Sequence, residues 1–315
     1  MNIDIAYLLG MVVGKGTLIR DNNTTKIIID IPHKNLEIEG MEARLSVEAS
    51  INRIKERIEP LLEVRISTNS QKGSTTISFQ KDNSTFVIKE LNKYLGNKYS
   101  CKDFRIPESV FTLAKDLKAE FLRGIADVTA HIRSSNNAYG YLFGHRSYIE
   151  IPQNWFLTID ICNLLKDLDV PVQNIDWGHP NIRDPNVEEY NQGRPKAWFR
   201  EHQIKIYADE FEKIGFYLIH KKRALKKLAD LNRVEWDKFC TIKMKQAKND
   251  KMRERWKERI GNLKEIHHKF YWETNTPNKP KPHHPEENSI NIPQKIRGKH
   301  FDSWKEIAKE LGYHE

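Results

Sequence analysis

Apolar positions run almost unbroken from Ile5 to Val13 and stop at Gly14-Lys15-Gly16. Asn2 or Asp4 ahead of the run can accept the first free helix N–H groups, so the stretch predicts a short helix ended by its glycines. The period then drops to two. Thr17–Arg20 and Lys26–Ile31 alternate around an Asp-Asn-Asn turn and predict a strand pair. Leu45, Ala49, Ile51, Ile54, Ile58 and Leu61 return to helical spacing within Glu42–Leu62. Val64–Thr68 and Thr75–Gln80 alternate again around Gln71-Lys72-Gly73, and Thr85–Leu95 is a helix closed by Gly96.

The same order recurs further on. Leu117–Val128 is an apolar helix. His131–Ser134 and Tyr148–Ile151 read as strands, and Asn154–Leu168 as an amphipathic helix. Val172–Trp177 and Glu201–Tyr207 are strand-like around a long polar loop, Gly178–Pro195, and Ala208–Ile214 is a helix closed by Gly215. Helix-strand-strand-helix-strand-strand-helix, twice, predicts an α+β chain of two pseudo-symmetric halves, residues 1–100 and 101–232. A third region, 233–315, holds a basic helical stretch to about Trp272, a linker TNTPNKPKPHHPEENSINIPQ, and a final amphipathic segment. Phe301, Trp304, Ile307, Ala308 and Leu311 share one face of that segment, which is expected to dock on the main body.

Charge narrows the partner. The 315 residues carry a formal net charge of +9 and a pI near 9.2, which favours a polyanion, nucleic acid before an anionic membrane. Between His220 and Arg259 stand 15 Lys/Arg against 6 Asp/Glu, so this one segment holds the whole excess. No apolar run approaches the roughly 20 residues a membrane helix needs. Cys101, Cys162 and Cys240 are too scattered for a disulfide framework or a CxxC pair, which points to a reducing cytoplasm, here beside the nucleoid. His267, His268, His283, His284 and His300 match no zinc spacing and read as solvated. Glu150, Asp160, Asp167 and Asp169 read as surface charges.

Leu8-Leu-Gly-Met-Val-Val-Gly-Lys-Gly16 and Leu122-Arg-Gly-Ile-Ala-Asp-Val-Thr-Ala130 occupy equivalent places in the two halves. Small residues at Gly10 and Gly14, and at Gly124 and Ala126, would let two helices approach closely. The GxxxxGK[ST] order of a phosphate loop is missing. Both segments resemble the LAGLIDADG motif of homing endonucleases: the first the variant LLGLxxGDG, the second FLRGLxDADG through Phe121-Leu-Arg-Gly. His202–Phe216 resembles the strand-helix segment that closes such a domain. The resemblance covers about residues 1 to 220.

It implies two αββαββα halves whose saddle-shaped antiparallel sheets lie along the DNA major groove. It also implies an acid at the eighth motif position of each helix, the pair holding divalent metal for cleavage. Here those altered catalytic positions are Lys15 and Thr129. An ammonium repels a metal ion and could instead hold a phosphate as a point charge, while a threonine is a weak neutral ligand. Asp127, two residues before Thr129, is expected at a helix end or against the partner helix. Candidate DNA-facing bases are Arg20, Lys26, Arg65, Lys72, Lys81, Arg133, Arg146 and Lys205.

The reading is a monomeric, sequence-selective binder of double-stranded DNA that needs no cofactor to bind, with Mg²⁺ involved only if it cleaves. An active homing or restriction endonuclease using other residues, and an RNA-splicing accessory or regulator, stay open.

Overall fold

The computed structural model describes residues 1–33, 43–71, 73–134, 145–152, 154–180 and 200–258. Asn2 caps helix α1, Ile3–Lys15, accepting from the Ile5 N–H at 2.8 Å. Every residue from Ile5 to Gly14 is buried. A helix apolar on all sides must be enclosed on all sides. The enclosure comes from helix α5, Lys115–Thr129, from the first sheet and from neighbouring helices.

The first sheet contains β1 (Gly16–Arg20), β2 (Thr24–Pro32), β3 (Ser67–Ser70) and β4 (Ser74–Asp82), in the order β1-β2-β4-β3. The second contains β5 (Ala130–Arg133), β6 (Arg146–Pro152), β7 (Asn174–Pro180) and β8 (Arg200–Tyr207), in the order β5-β6-β8-β7. Both are antiparallel throughout and share one topology. Helices α2 (Ala43–Leu62) and α3 (Phe86–Leu95) complete the first αββαββα half; α6 (Trp155–Asp167) and α7 (Ala208–Phe211) complete the second. Alternation fixes the inner faces: Leu18, Ile27, Ile29, Ile77 and Phe79 in one sheet, Ile132, Ile149, Ile151, Ile204 and Ile206 in the other. All of them join a single hydrophobic cluster that spans both halves.

The connection between the halves is pinned rather than slack. It contains a short helix, α4 (Glu108–Phe111), which no periodic signal marked. Phe104, Ile106 and Val110 are buried within it. Asp160 of α6, expected at the surface, is buried and holds Arg105 through both oxygens, at 2.9 and 2.8 Å, and the Ile106 N–H. Asn154 caps α6 and donates to the Cys101 and Phe104 carbonyls.

Several boundaries differ from expectation. Gly14 lies inside α1 and only Gly16 ends it. Strand β3 begins at Ser67 because Glu63 leaves α2 with a positive φ of 53° and Ile66 turns into the core. Strand β7 extends to Pro180, into the expected loop, past an irregularity at Asp176/His179. Helix α8 (Ile219–Lys245) runs unbroken through residue 232, where the pattern had suggested a division. A second basic helical stretch covers 250–258. The linker, the terminal segment and the five C-terminal histidines lie outside the described residues. Among the described residues no helix is long and apolar enough to cross a membrane.

A Cβ on Gly10 would strike the Phe121 carbonyl and lie 3.1 Å from the Gly124 Cα; one on Gly124 would strike the Tyr7 carbonyl. One on Gly73 would meet nothing. Gly10→Ala and Gly124→Ala are therefore expected to lose about 1–3 kcal/mol or more in urea unfolding, since backbone cannot yield as a side chain does. Gly73→Ala should stay within about 0.5 kcal/mol.

Candidate nucleic-acid interface

The atoms that would meet a Cβ on Gly10 belong to Phe121 and Gly124; those that would meet one on Gly14 belong to Val128, Thr129 and Ile125. A step of four along α1 thus matches a step of about four along α5, so the helices run parallel and their C-terminal ends lie together. Met11 and Ile125 both sit at this crossing. The stripe on α5 is 121, 124, 125 and 128. Ala126 is buried too, though the atoms nearest Gly10 and Gly14 belong to that stripe. Strands β1 and β5 leave directly from the two helix ends, so the sheets start side by side.

Lys15 and Thr129 occupy those ends. Lys15 is half-buried and, among the described residues, has no hydrogen-bond or ion-pair partner. It lies near enough to oppose the rise that burial imposes on the Cys101 thiol. Thr129 is 2% exposed, and its hydroxyl donates back to the Ile125 carbonyl at 2.7 Å. Its oxygen is spent within its own helix. An ammonium and a back-bonded hydroxyl do not fit a divalent cation, which takes carboxylate and carbonyl oxygens. Among the described residues no group of three or more His, Cys, Asp or Glu side chains could hold one.

Asp127 points the other way and is fully buried. It accepts from the Tyr7 hydroxyl at 2.7 Å and from the backbone N–H groups of Tyr217 and Leu218. Lys221, also fully buried, donates to its carbonyl at 2.5 Å. Burial raises the carboxyl, and the Lys221 charge and these donors pull against that rise. Arg57 of α2 lies over the rings of Tyr7 and Tyr217, 4.7 Å from each, and pairs with Asp4 and Glu120. Asp127 therefore ties α1, α5 and α8 together.

The outer faces of the sheets carry the candidate contacts. In the first, Lys26 is exposed opposite Ile19 and Gln80. The same face shows Thr17, Ser67, Asn69, Thr76 and Ser78, with Asp30 and Asp82. Arg20 and Lys81 are corrections: both pair with buried Thr25 and so belong to the helix side. Arg20 donates to the Lys98 and Gly96 carbonyls and to Asn92, closing the end of α3. Arg65 is exposed but precedes β3 rather than lying in a strand. Lys72 lies outside the described residues.

In the second sheet Arg133, Arg146 and Lys205 all lie on the outer face, around Tyr148. Glu150, expected at the surface, is 6% exposed there and accepts from Gln203 at 2.8 Å. Tyr148, Gln203 and His131 went unmarked in the sequence, although alternation along β6 puts Arg146, Tyr148 and Glu150 in one row. Asp167 and Asp169 pair with Lys118 and Lys115.

Buried His220 and half-buried His202 make the scaffold acid-sensitive. Burial lowers His202 to about 4. Burial, with Lys221 and His33 nearby, lowers His220 to about 3, and neither His220 ring nitrogen has a hydrogen-bond partner among the described residues. Both rings stay neutral in the fold while the unfolded chain protonates near 6.5. Stability is therefore full above about pH 6.5 and declines as the pH falls towards 4 and 3. The urea midpoint should drop over that range, and His220→Leu should reduce the slope.

No family model matches the chain, and no curated protein does. Among solved structures it is similar to the endonuclease I-DmoI in complex with DNA and calcium, with 15% identity over 67% of this chain and 88% of that one and a TM-score of 0.37. It is also similar to the LAGLIDADG meganuclease I-AabMI bound to uncleaved DNA, with 14% identity over 84% and 98% and a TM-score of 0.36. A third is full-length WhiA from Thermatoga maritima, with 15% identity over 78% and 68% and a TM-score of 0.37. The two αββαββα halves stand on the strand orders and the helix crossing themselves.

Proposed function

We propose that the protein binds double-stranded DNA in a sequence-selective manner across the outer faces of its two sheets. In this reading Lys15 and Thr129 hold the places of two metal-binding acids without performing their chemistry. The parallel crossing of α1 and α5 carries the proposal, because it starts both sheets at one point and gives a single chain two similar reading surfaces. The net charge of +9 supports a polyanionic partner. The first outer face supports base readout: Gln80, Asn69, Ser78 and Thr76 are neutral donors and acceptors of the kind that match base edges. Lys26 supplies a phosphate contact beside them. Lys15, at the midpoint, meets a backbone phosphate as a point charge. One chain suffices, so the protein acts as a monomer.

Selection of bound fragments from random duplex DNA by the full chain tests this directly. Enrichment of one motif by a monomeric protein, without strand breaks in Mg²⁺, is the expected outcome. No enrichment, or tighter binding of structured RNA, overturns it, and cleavage by the unaltered protein overturns the inert-centre part. Lys15→Asp combined with Thr129→Asp should make Mg²⁺-dependent cleavage measurable at the selected site. Gln80→Ala should relax preference at one or two bases, by about 1–3 kcal/mol of discrimination.

A further inference from the structure

We propose that the cleft between the C-terminal half of α8 and the helical stretch 250–258 is the seat of a segment of this same chain, residues 301–311, which lie outside the described residues.

The two helices are short of a core. The buried residues of α8 are His220, Lys221, Leu225, Ala229 and Asn232, all in its first half. From 233 to 258 Ala247 alone is buried. Val234, Ile242 and Met252 are three of the nine large apolar side chains exposed among the described residues, and all three fall in this stretch. The helices meet where Phe239 touches Trp256, ring centres 6.4 Å apart. A pair of helices encloses no interior of its own, and its apolar side chains need a further layer.

Cys240, Thr241 and Met244 line the cleft with two cations, Lys245 and Arg253. Val234 continues the α8 side, seven residues before Thr241 on the same face. Arg253 holds the exposed Asp250 at 2.9 Å, yet the surroundings stay basic: residues 233–258 carry nine Lys/Arg against five Asp/Glu. An apolar cleft edged by cations suits a helix with an apolar stripe and a row of carboxylates.

The sequence of 301–311 has that pattern. Phe301, Trp304, Ile307, Ala308 and Leu311 fall on one side of a helix, and Asp302, Glu306 and Glu310 recur every four residues as an acidic row. Ser303 with Glu306 three residues on is a helix start signal, and Gly312 a stop. Residues 301–315 hold four Asp/Glu against two Lys, the reverse of the balance around the cleft. A helix of roughly two turns is marginal alone and takes its stability from the surface it covers. Forty-two residues separate Glu258 from Phe301. That length reaches the cleft easily and keeps the segment at a high effective concentration beside it, an advantage no separate partner has.

The test uses the full chain, because Cys240 puts a thiol in the cleft. Ile307→Cys adds one on the apolar side of the segment, and Lys309→Cys adds one on its polar side. Diamide should join Cys240 to position 307 within one chain, and to position 309 far less, with peptide mass mapping to identify the bond. Without oxidant, maleimide should label Cys240 several-fold faster in Trp304→Asp and in Glu310→Lys than in the unaltered protein, while Cys101 is labelled equally in all three. A disulfide between chains that grows with protein concentration assigns the cleft to a second copy and overturns the proposal. Equal labelling of Cys240 in every variant, together with no bond in Ile307→Cys, overturns it as well.

Discussion

The closest constraint in the molecule is backbone meeting backbone where Gly10 of α1 crosses Gly124 of α5. Neither position has room for a single added carbon. Two helices that near each other cannot slide, because the next residue in either direction is large: Leu9 and Met11 on one side, Arg123 and Ile125 on the other. Position and direction of both sheets follow, since β1 and β5 continue from the helix ends without a loop. Asp127 adds a directional lock. Its bonds to the Tyr7 hydroxyl and to two backbone N–H groups of the chain leading into α8 join three helices around one carboxylate. Each buried charge-assisted bond of this kind is worth about 1.5–3 kcal/mol, and removing the acceptor strands all the donors at once.

Charge is arranged on a different principle from the core. The excess bases lie on α8 and the helical stretch after it rather than on the strands. Those two helices meet where Phe239, beside Trp236 on its own helix, touches Trp256, with Lys243 set 5.8 and 5.1 Å from the rings of Phe239 and Trp256. This apolar joint lets a strongly basic element keep a defined shape despite its own repulsion. In the proposed DNA-binding reading, long-range attraction of a polyanion comes from this basic element and close recognition from the sheets.

Much of the architecture was legible because periodicity reports burial. The inner faces of β2, β4 and β8 are the alternating apolar positions, and α1 is buried all round because its sequence is apolar all round. Side-chain direction at strand ends was not legible. Arg20 and Lys81 looked like outward bases, but counting from Ile27 in register places them beside Thr25 on the helix side. Glu150 and Asp160 looked like solvated acids because composition cannot see a partner 53 or 55 residues distant: Gln203 for one, Arg105 for the other. Gly14 looked like a helix stop because a glycine near a helix end reads the same whether it releases the chain or admits a neighbour. Only the crossing itself separates the two uses.

The same crossing explains why the fold tolerates Lys15 and Thr129 at the last positions of the two helices. A helix C-terminus carries a partial negative charge, so an acid there is opposed by its own helix and, in this geometry, by a second acid on the neighbouring helix. A bound cation would be needed to offset both repulsions. Lys15 reverses the first, placing a positive charge in the last turn of α1. Thr129 removes the second by turning its hydroxyl back onto the Ile125 carbonyl one turn earlier in its own helix. The Ala130 N–H takes the next carbonyl, that of Ala126, so the end of α5 is closed without any ion. Helix stability and metal binding pull these two positions in opposite directions, and the residues present satisfy the first.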